Sequence, residues 1–307
     1  MALTDLDMQL LKSIADMHKI PVGAYNIRKD GQKAARNTTA HIDIESRKDC
    51  DGINIYIADG TKNESVHIPV IIEKTGYSEV VTNEFFVGKD CDVLIIAGCG
   101  ISNCGAQKSQ HDGVHIFHIG ENSRVRYVEK HYGQGEGTGE RIMNPGTKVY
   151  LEEGASFNME ATQIRGITST NRFTEIHVGK GAETVITERL LTHDRQKAES
   201  RMNVYLEGED STARIISRSV AQNRSEQVFY PCVTGENKCF GHVQCDAIIM
   251  DEAKVASIPA IRANCVDAQL IHEAAIGRIA GDQLIKLMTF GLTREEAEEK
   301  ILEGFLR

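Results

Sequence analysis

The sequence predicts a mainly β protein built as a solenoid, with helical segments at its two ends. Residues 40–275 are a succession of short β-rich segments punctuated by glycine, with no long helical periodicity. Within them a degenerate unit recurs: an apolar residue, a polar or glycine-containing turn, a small residue, then an apolar strand. Copies stand at 87–93, 119–125 and 151–157, so the small residues Cys91, Ser123 and Ala155 are 32 apart. Such spacing suits stacked coils that each bury apolar side chains against their neighbours. An antiparallel sandwich with similar turn signals is the alternative reading.

Taken in order, the chain divides into an N-terminal helical segment (1–39), a β core (40–275) and a C-terminal helical segment (276–307). From near Leu3 to His18, Leu6, Leu10, Ile14 and Met17 form a helical stripe. Asp5 and Asp7 suit the positive end of that helix, and Pro21 ends it. Strands are predicted at 41–44, 52–57 and 67–72. Looser copies of the repeat lie at 178–182, 249–255 and 267–270, with Ala253 and Ala268 15 apart. A helix over 282–290 carries Leu284, Leu287 and Met288 on one face, and Gly291 is its stop. Thr293 and Glu296 then form a capping box opening a last helix, along which Ala297, Ile301 and Phe305 align beside Leu302. This helical pair either packs on the β body or docks a partner through its apolar face.

With 307 residues, 41% hydrophobic and 26% charged, the chain reads as globular. Its net charge of −9 argues against broad attraction to nucleic acid or anionic membranes. No apolar run approaches the roughly 20 residues that span a bilayer. The start, Met1-Ala2-Leu3-Thr4-Asp5-Leu6-Asp7, lacks the basic and apolar parts of a signal peptide. A cytoplasmic location is expected, and the eight cysteines read as free thiols or metal ligands.

Cys99 and Cys104, followed by His111, His115 and His118, invite a zinc reading. Their spacing is not that of zinc ribbons or fingers, and on a strand His115 and His118 point to opposite faces, so all five cannot converge. The glycine-rich run 133–140 lacks the Gly-Lys-Ser/Thr ending of a phosphate loop and carries two carboxylates; it reads as a mobile surface loop. The thiols concentrate at Cys232, Cys239, Cys245 and Cys265, in a spacing that fits no common ferredoxin-type cluster. Cys245 lies in the apolar segment 243–249, and His272 and Glu273 lie on what is expected to be a nearby coil. A soft thiolate, an imidazole and a hard carboxylate together could hold iron, loosely enough to release it.

The segments 241–249, Ser257-Ile258-Pro259, 268–274, 281–284 and 290–297 resemble, in order and nearly in register, the signature of the SufB/SufD family of iron–sulfur assembly scaffolds. His111-Asp112-Gly113-Val114-His115-Ile116-Phe117 and Glu129-Lys130-His131-Tyr132-Gly133 are similar to its short archaeal and anaerobe-type members. The resemblance implies a right-handed parallel β-helix flanked by helices. It also implies pairing through the last coils and docking of an ABC-type ATPase, SufC, on the C-terminal helices. The family's cluster-linked cysteine falls on Cys245, its glutamate on Glu273, and the paralogous subunit's interface histidine on His272. Both paralogues' groups thus stand in one chain, which suits a homodimer in a SUF-type complex.

The function so implied is a scaffold and not an enzyme. A transient iron–sulfur cluster would be built at the dimer interface with Cys245, Glu273 and His272 as ligands and passed to apoproteins, while ATP is bound by the partner subunit only. Longer SufB proteins take sulfur on a mid-helix cysteine, whereas no cysteine lies between Cys104 and Cys232 here. Cys232, Cys239 or Cys265 takes that role, or sulfide is used directly; a cysteine desulfurase is the family's sulfur source. No flavin motif is identifiable. Two other readings stand beside this one: a regulatory ATPase partner that binds no cluster, and a polysaccharide-acting β-helix enzyme, which needs carboxylates on an exposed groove.

Overall fold

The computed structural model describes residues 4–15, 17 and 21–306. It opens with α1 (Asp5–Ala15) and the strands β1 (Ala24–Lys29), β2 (Gln32–Asn37), β3 (Ile42–Ser46), β4 (Gly52–Ile57), β5 (Lys62–Ile72) and β6 (Ser78–Val87). The middle comprises β7 (Asp92–Ser102), β8 (Ser109–Ile119), β9 (Arg124–Gln134), β10 (Arg141–Met143), β11 (Gly146–Leu151), β12 (Ser156–Arg165), β13 (Ser169–Val178) and β14 (Glu183–Thr192). The last part holds β15 (Lys197–Leu206), β16 (Ser211–Ala221), β17 (Glu226–Gly235), β18 (Cys239–Ile249), β19 (Lys254–Ser257), β20 (Ala260–Ala263) and β21 (Ala268–Gly277). Helices α2 (Gly281–Thr289) and α3 (Arg294–Phe305) follow.

From β4 onward the chain passes back and forth between two sheets, with β10–β11 and β19–β20 as split strands of the second, and within each sheet nearly every neighbouring pair is parallel. One sheet runs β2-β1-β5-β7-β9-β12-β14-β16-β18-β21. The other runs from β19 and β20 through β17, β15 and β13 to β3. The result is a β-solenoid of about eight turns; the sandwich reading is excluded by the parallel registers. Inward residues alternate with outward ones along each strand, as in Ser109–Ile119 and Lys197–Leu206. The interior is a continuous apolar column in which Phe85, Phe117, Tyr127 and Phe157 stack, with Phe85 and Phe117 ring centroids 4.4 Å apart.

The repeat is explained by the corners. Cys91, Ser123 and Ala155 are buried small residues at successive copies of one corner, and the Cys91 amide donates to Ser123 Oγ at 2.9 Å. Each such turn needs a left-handed residue, supplied by Asp90, Asn122, Gly154 and Gly181 (φ 55°, 58°, 67° and 60°). Ala253 precedes β19 and Ala268 opens β21, strands of different sheets, so their spacing marks half a coil.

Helix α1 carries the predicted stripe, with Leu10 and Ile14 buried and Leu6 partly exposed; the predicted ends Leu3 and His18 lie outside the described residues. It packs closely enough on the sheet that a Cβ on Gly98 would come within 2.2 Å of the Ile14 carbonyl oxygen. Asp7 does more than face the helix dipole: it exchanges hydrogen bonds with Thr4 and pairs with buried Lys29 at 2.7 Å. The stretch after Pro21 departs from the helical expectation for residues 1–39, because β1 and β2 form an antiparallel hairpin that extends the first sheet. The glycine-rich run 133–140 is laced to the preceding coil, with the Gly139 amide donating to the Gly105 carbonyl at 2.9 Å.

At the other end, Gly291 has φ 92° and Thr293 with Glu296 forms the predicted capping box. Helix α3 buries Ala297 and Leu302, and Leu302 lines a groove with Leu191 and Met250. Helix α2 buries no residue, leaving Ile285, Met288 and Phe290 exposed. No helix among the described residues is long and apolar enough to cross a membrane.

Candidate functional site

Strand β18 is the penultimate rung of its sheet, and β21 covers it as the final rung. Alternation turns Gly241, Val243 and Cys245 inward, and Cys245 is 5% exposed within the apolar column. In register, Cys245 lies opposite Ser217 of β16 on one side and Ala274 of β21 on the other. Burial raises the thiol to about 11, against a smaller downward pull from the Ser257 hydroxyl; Asp246 and Glu188 push the same way as burial. Cys245 is therefore a protonated, desolvated thiol in the isolated chain, which a metal ion would have to deprotonate on binding.

His272 lies opposite Val243 and shares the inward row with Leu270 and Ala274. Its Nε2 is buried and has no hydrogen-bond partner. Desolvation lowers its pKa, against the pull of Glu273. A neutral imidazole with an unsatisfied buried nitrogen is the state in which histidine accepts a metal.

Glu273, one residue on, points outward. It is exposed and its Oε1 lies 3.0 Å from His242 Nε2. Cys245 and His272 thus share the interior at the open end of the solenoid, whereas Glu273 stands on the opposite face of the sheet. Among the described residues no three His, Cys, Asp or Glu side chains are already grouped to hold a metal ion.

The remaining thiols are dispersed. Cys239 is buried at the start of β18, and burial raises its pKa; Cys232 and Cys265 are half-buried, and Cys50 and Cys104 are exposed. The five-residue zinc set separates as alternation requires: Cys99, His111 and His115 face inward, His118 faces outward and stacks on Phe86 and Tyr150, and Cys104 lies at the surface.

Sequence reasoning missed what surrounds the inward three. Glu79, Glu129, His131, Arg172 and Glu188 are all buried inside the solenoid. Arg172 pairs with Glu129 through Nη1 and with Glu188 at 3.2 Å. Glu79 bridges Arg28 at 3.0 Å and His111 at 2.9 Å. Burial drives the carboxylates up, but Arg172 holds Glu129 far below the ordinary range, while Glu188 stays raised by its desolvation. The sequence signal was the alternation itself: Val125, Tyr127, Glu129 and His131 occupy one inward row.

Residues 80–305 match the family described as SUF system FeS cluster assembly, SufBD core domain. An iron–sulfur cluster assembly SufBD family protein of Archaeoglobus fulgidus is 26% identical over 262 residues, covering 84% of this chain and 69% of its own. Those of Methanocaldococcus jannaschii (28%, 78% of this chain and 76% of the relative) and Pyrococcus horikoshii (28%, 82% and 77%) are similar. With this match over more than two-thirds of its length, the chain belongs to the SufBD family of iron–sulfur cluster assembly proteins.

Proposed function

We propose that two copies of this chain form the scaffold on which a nascent iron–sulfur cluster is built, with Cys245, His272 and Glu273 as its ligands. The observation that carries this is the pair of inward groups at the open end of the solenoid: a buried thiol and a buried imidazole nitrogen with no partner. Strand β21 ends its sheet and offers ten residues of unpaired edge, the kind of edge a second copy extends. End-to-end pairing would join the two interiors there. Because Cys245 and Glu273 face opposite sides of one sheet, completing the set requires the second chain or a movement of β21.

The exposed apolar face of α2, in the segment 276–307, is the proposed seat of a SufC-like ABC ATPase, whose nucleotide-driven closure would supply such movement. ATP is then bound by that partner alone, the scaffold has no catalytic residue, and the complex works in the cytoplasm with a sulfur donor and recipient apoproteins. Native mass spectrometry of the complex with its ATPase tests the assembly. Two scaffold chains with two ATPases are expected, and Ile285→Glu should release the ATPase. An obligate second, different scaffold chain would contradict the proposal.

A further inference from the structure

Away from the final coil, the solenoid holds a second buried thiol, this one among polar side chains. Cys99 on β7 is directly opposite His131 on β9, and His111 on β8, from the other sheet, lines the same small void as both. Glu79, directly opposite His111 in register, accepts a hydrogen bond from His111 Nδ1 at 2.9 Å and is itself held by Arg28. That bond leaves His111 Nε2 for the thiol. Arg172 Nη2 lies 3.3 Å from His131 Nδ1, which places the His131 ring proton on Nε2. Beside these groups is a void of about 10 Å³, lined by Cys99, His111, Gly113, His115, Glu129 and His131. Gly113 keeps it open: a Cβ there would sit 2.9 Å from His111 Nε2.

We infer that Cys99 is a modification site, a buried thiol that shares a small void with His111 and His131 and reacts there with small uncharged peroxides. The Cys99 sulfur attacks one peroxide oxygen, an S–O bond forms and the O–O bond breaks. Sulfur is oxidised by two electrons and the peroxide reduced. The leaving hydroxide takes the His111 proton and departs as water, leaving Cys99 as a sulfenic acid and His111 neutral. The void receives the added oxygen, and Arg172, at the far side of His131, favours the departing negative charge. Burial alone would raise the thiol, but His111 and the hydrogen bonds of His111 and His131 bring it to about 7, while His111 is raised to about 10 by Cys99 and Glu79 against its own desolvation. The charged groups facing the pair, Glu79, Arg28, Glu129 and Arg172, balance one another. His115, bonded to Tyr127, stays neutral. Closed packing admits a peroxide through local opening and excludes bulky alkylating agents. The site does not depend on the cluster-assembly reading.

The test exposes the intact, anaerobically purified chain to hydrogen peroxide, quenches into urea, and counts remaining thiols at each cysteine by alkylation and peptide mass spectrometry. Cys99 is expected to be lost at least about ten-fold faster than the exposed Cys50 and Cys104 at pH 7.5. Its rate should rise by about ten-fold between pH 6 and pH 8, following thiolate formation. His111→Gln, checked by circular dichroism, should slow Cys99 loss by about ten-fold or more. Cys99 reacting no faster than Cys50 and Cys104 in the unaltered chain would overturn the inference, whatever the variant does.

Discussion

Replacing Arg172 by leucine probes the polar interior most sharply. The guanidinium bonds Glu129, reaches Glu188 at 3.2 Å and His131 at 3.3 Å, and all of these groups are buried. Without it, two carboxylates remain in the solenoid with no cation between them. A unit charge pair about 4 Å apart at an effective dielectric of about 20 is worth about 4 kcal/mol. Breaking a buried pair from one side costs about 3–5 kcal/mol. Arg172→Leu should therefore destabilise the chain by about 4 kcal/mol, lowering Tm by roughly 8 °C for a chain of this size. Combining it with Glu129→Leu and Glu188→Gln should recover most of that loss, because no unpaired charge is left behind. Differential scanning calorimetry at pH 7.5 measures both. A single variant within about 1 kcal/mol of the parent would refute the argument, since it would mean that the interior solvates free carboxylates.

Three further outcomes follow from local geometry. Burial lowers His115 to about 4, whereas the unfolded residue titrates near its ordinary 6.5. The unfolded chain then binds the extra proton, so stability is lost as pH falls from about 6.5 to about 4, by about 3 kcal/mol in all; Tm against pH should show this slope, reduced in His115→Gln. Gly98→Ala should drive α1 off the sheet, and its Leu10–Ala15 amides should lose hydrogen-exchange protection while the β core keeps its own. Thr293→Ala removes the capping box of α3 at a cost of about 1 kcal/mol. Exchange at the start of α3 should quicken about five-fold, and a change confined to the β core would contradict that assignment.

The coil was legible because its rules are local. Asp90, Asn122 and Gly154 mark the turns, Cys91, Ser123 and Ala155 mark the corners, and the capping box at Thr293 needs only four residues. The β1–β2 hairpin escaped notice although Asp30-Gly31, both at positive φ (46° and 79°), is a strong hairpin signal. The 15-residue spacing of Ala253 and Ala268 did not reveal that they serve different sheets, because strand lengths are uneven there. The site was legible in part. Alternation along β18 and β21 fixes that Cys245 and His272 face inward and Glu273 outward, but only once the register Val243↔His272 is known. The meeting of Cys99 and His111 at one void was beyond reach, because it depends on which residues of two different sheets face each other across the interior.

The central claim is that the last coil holds the cluster, and anaerobic reconstitution with the ATPase, iron and sulfide tests it most directly. Absorption and Mössbauer spectra of the parent chain are compared with those of Cys245→Ala, His272→Ala and Glu273→Ala. A cluster in the parent whose signature is lost in Cys245→Ala and altered in the other two is the predicted result. An unchanged cluster in all three variants, or ATPase binding with no cluster in the parent, would contradict it.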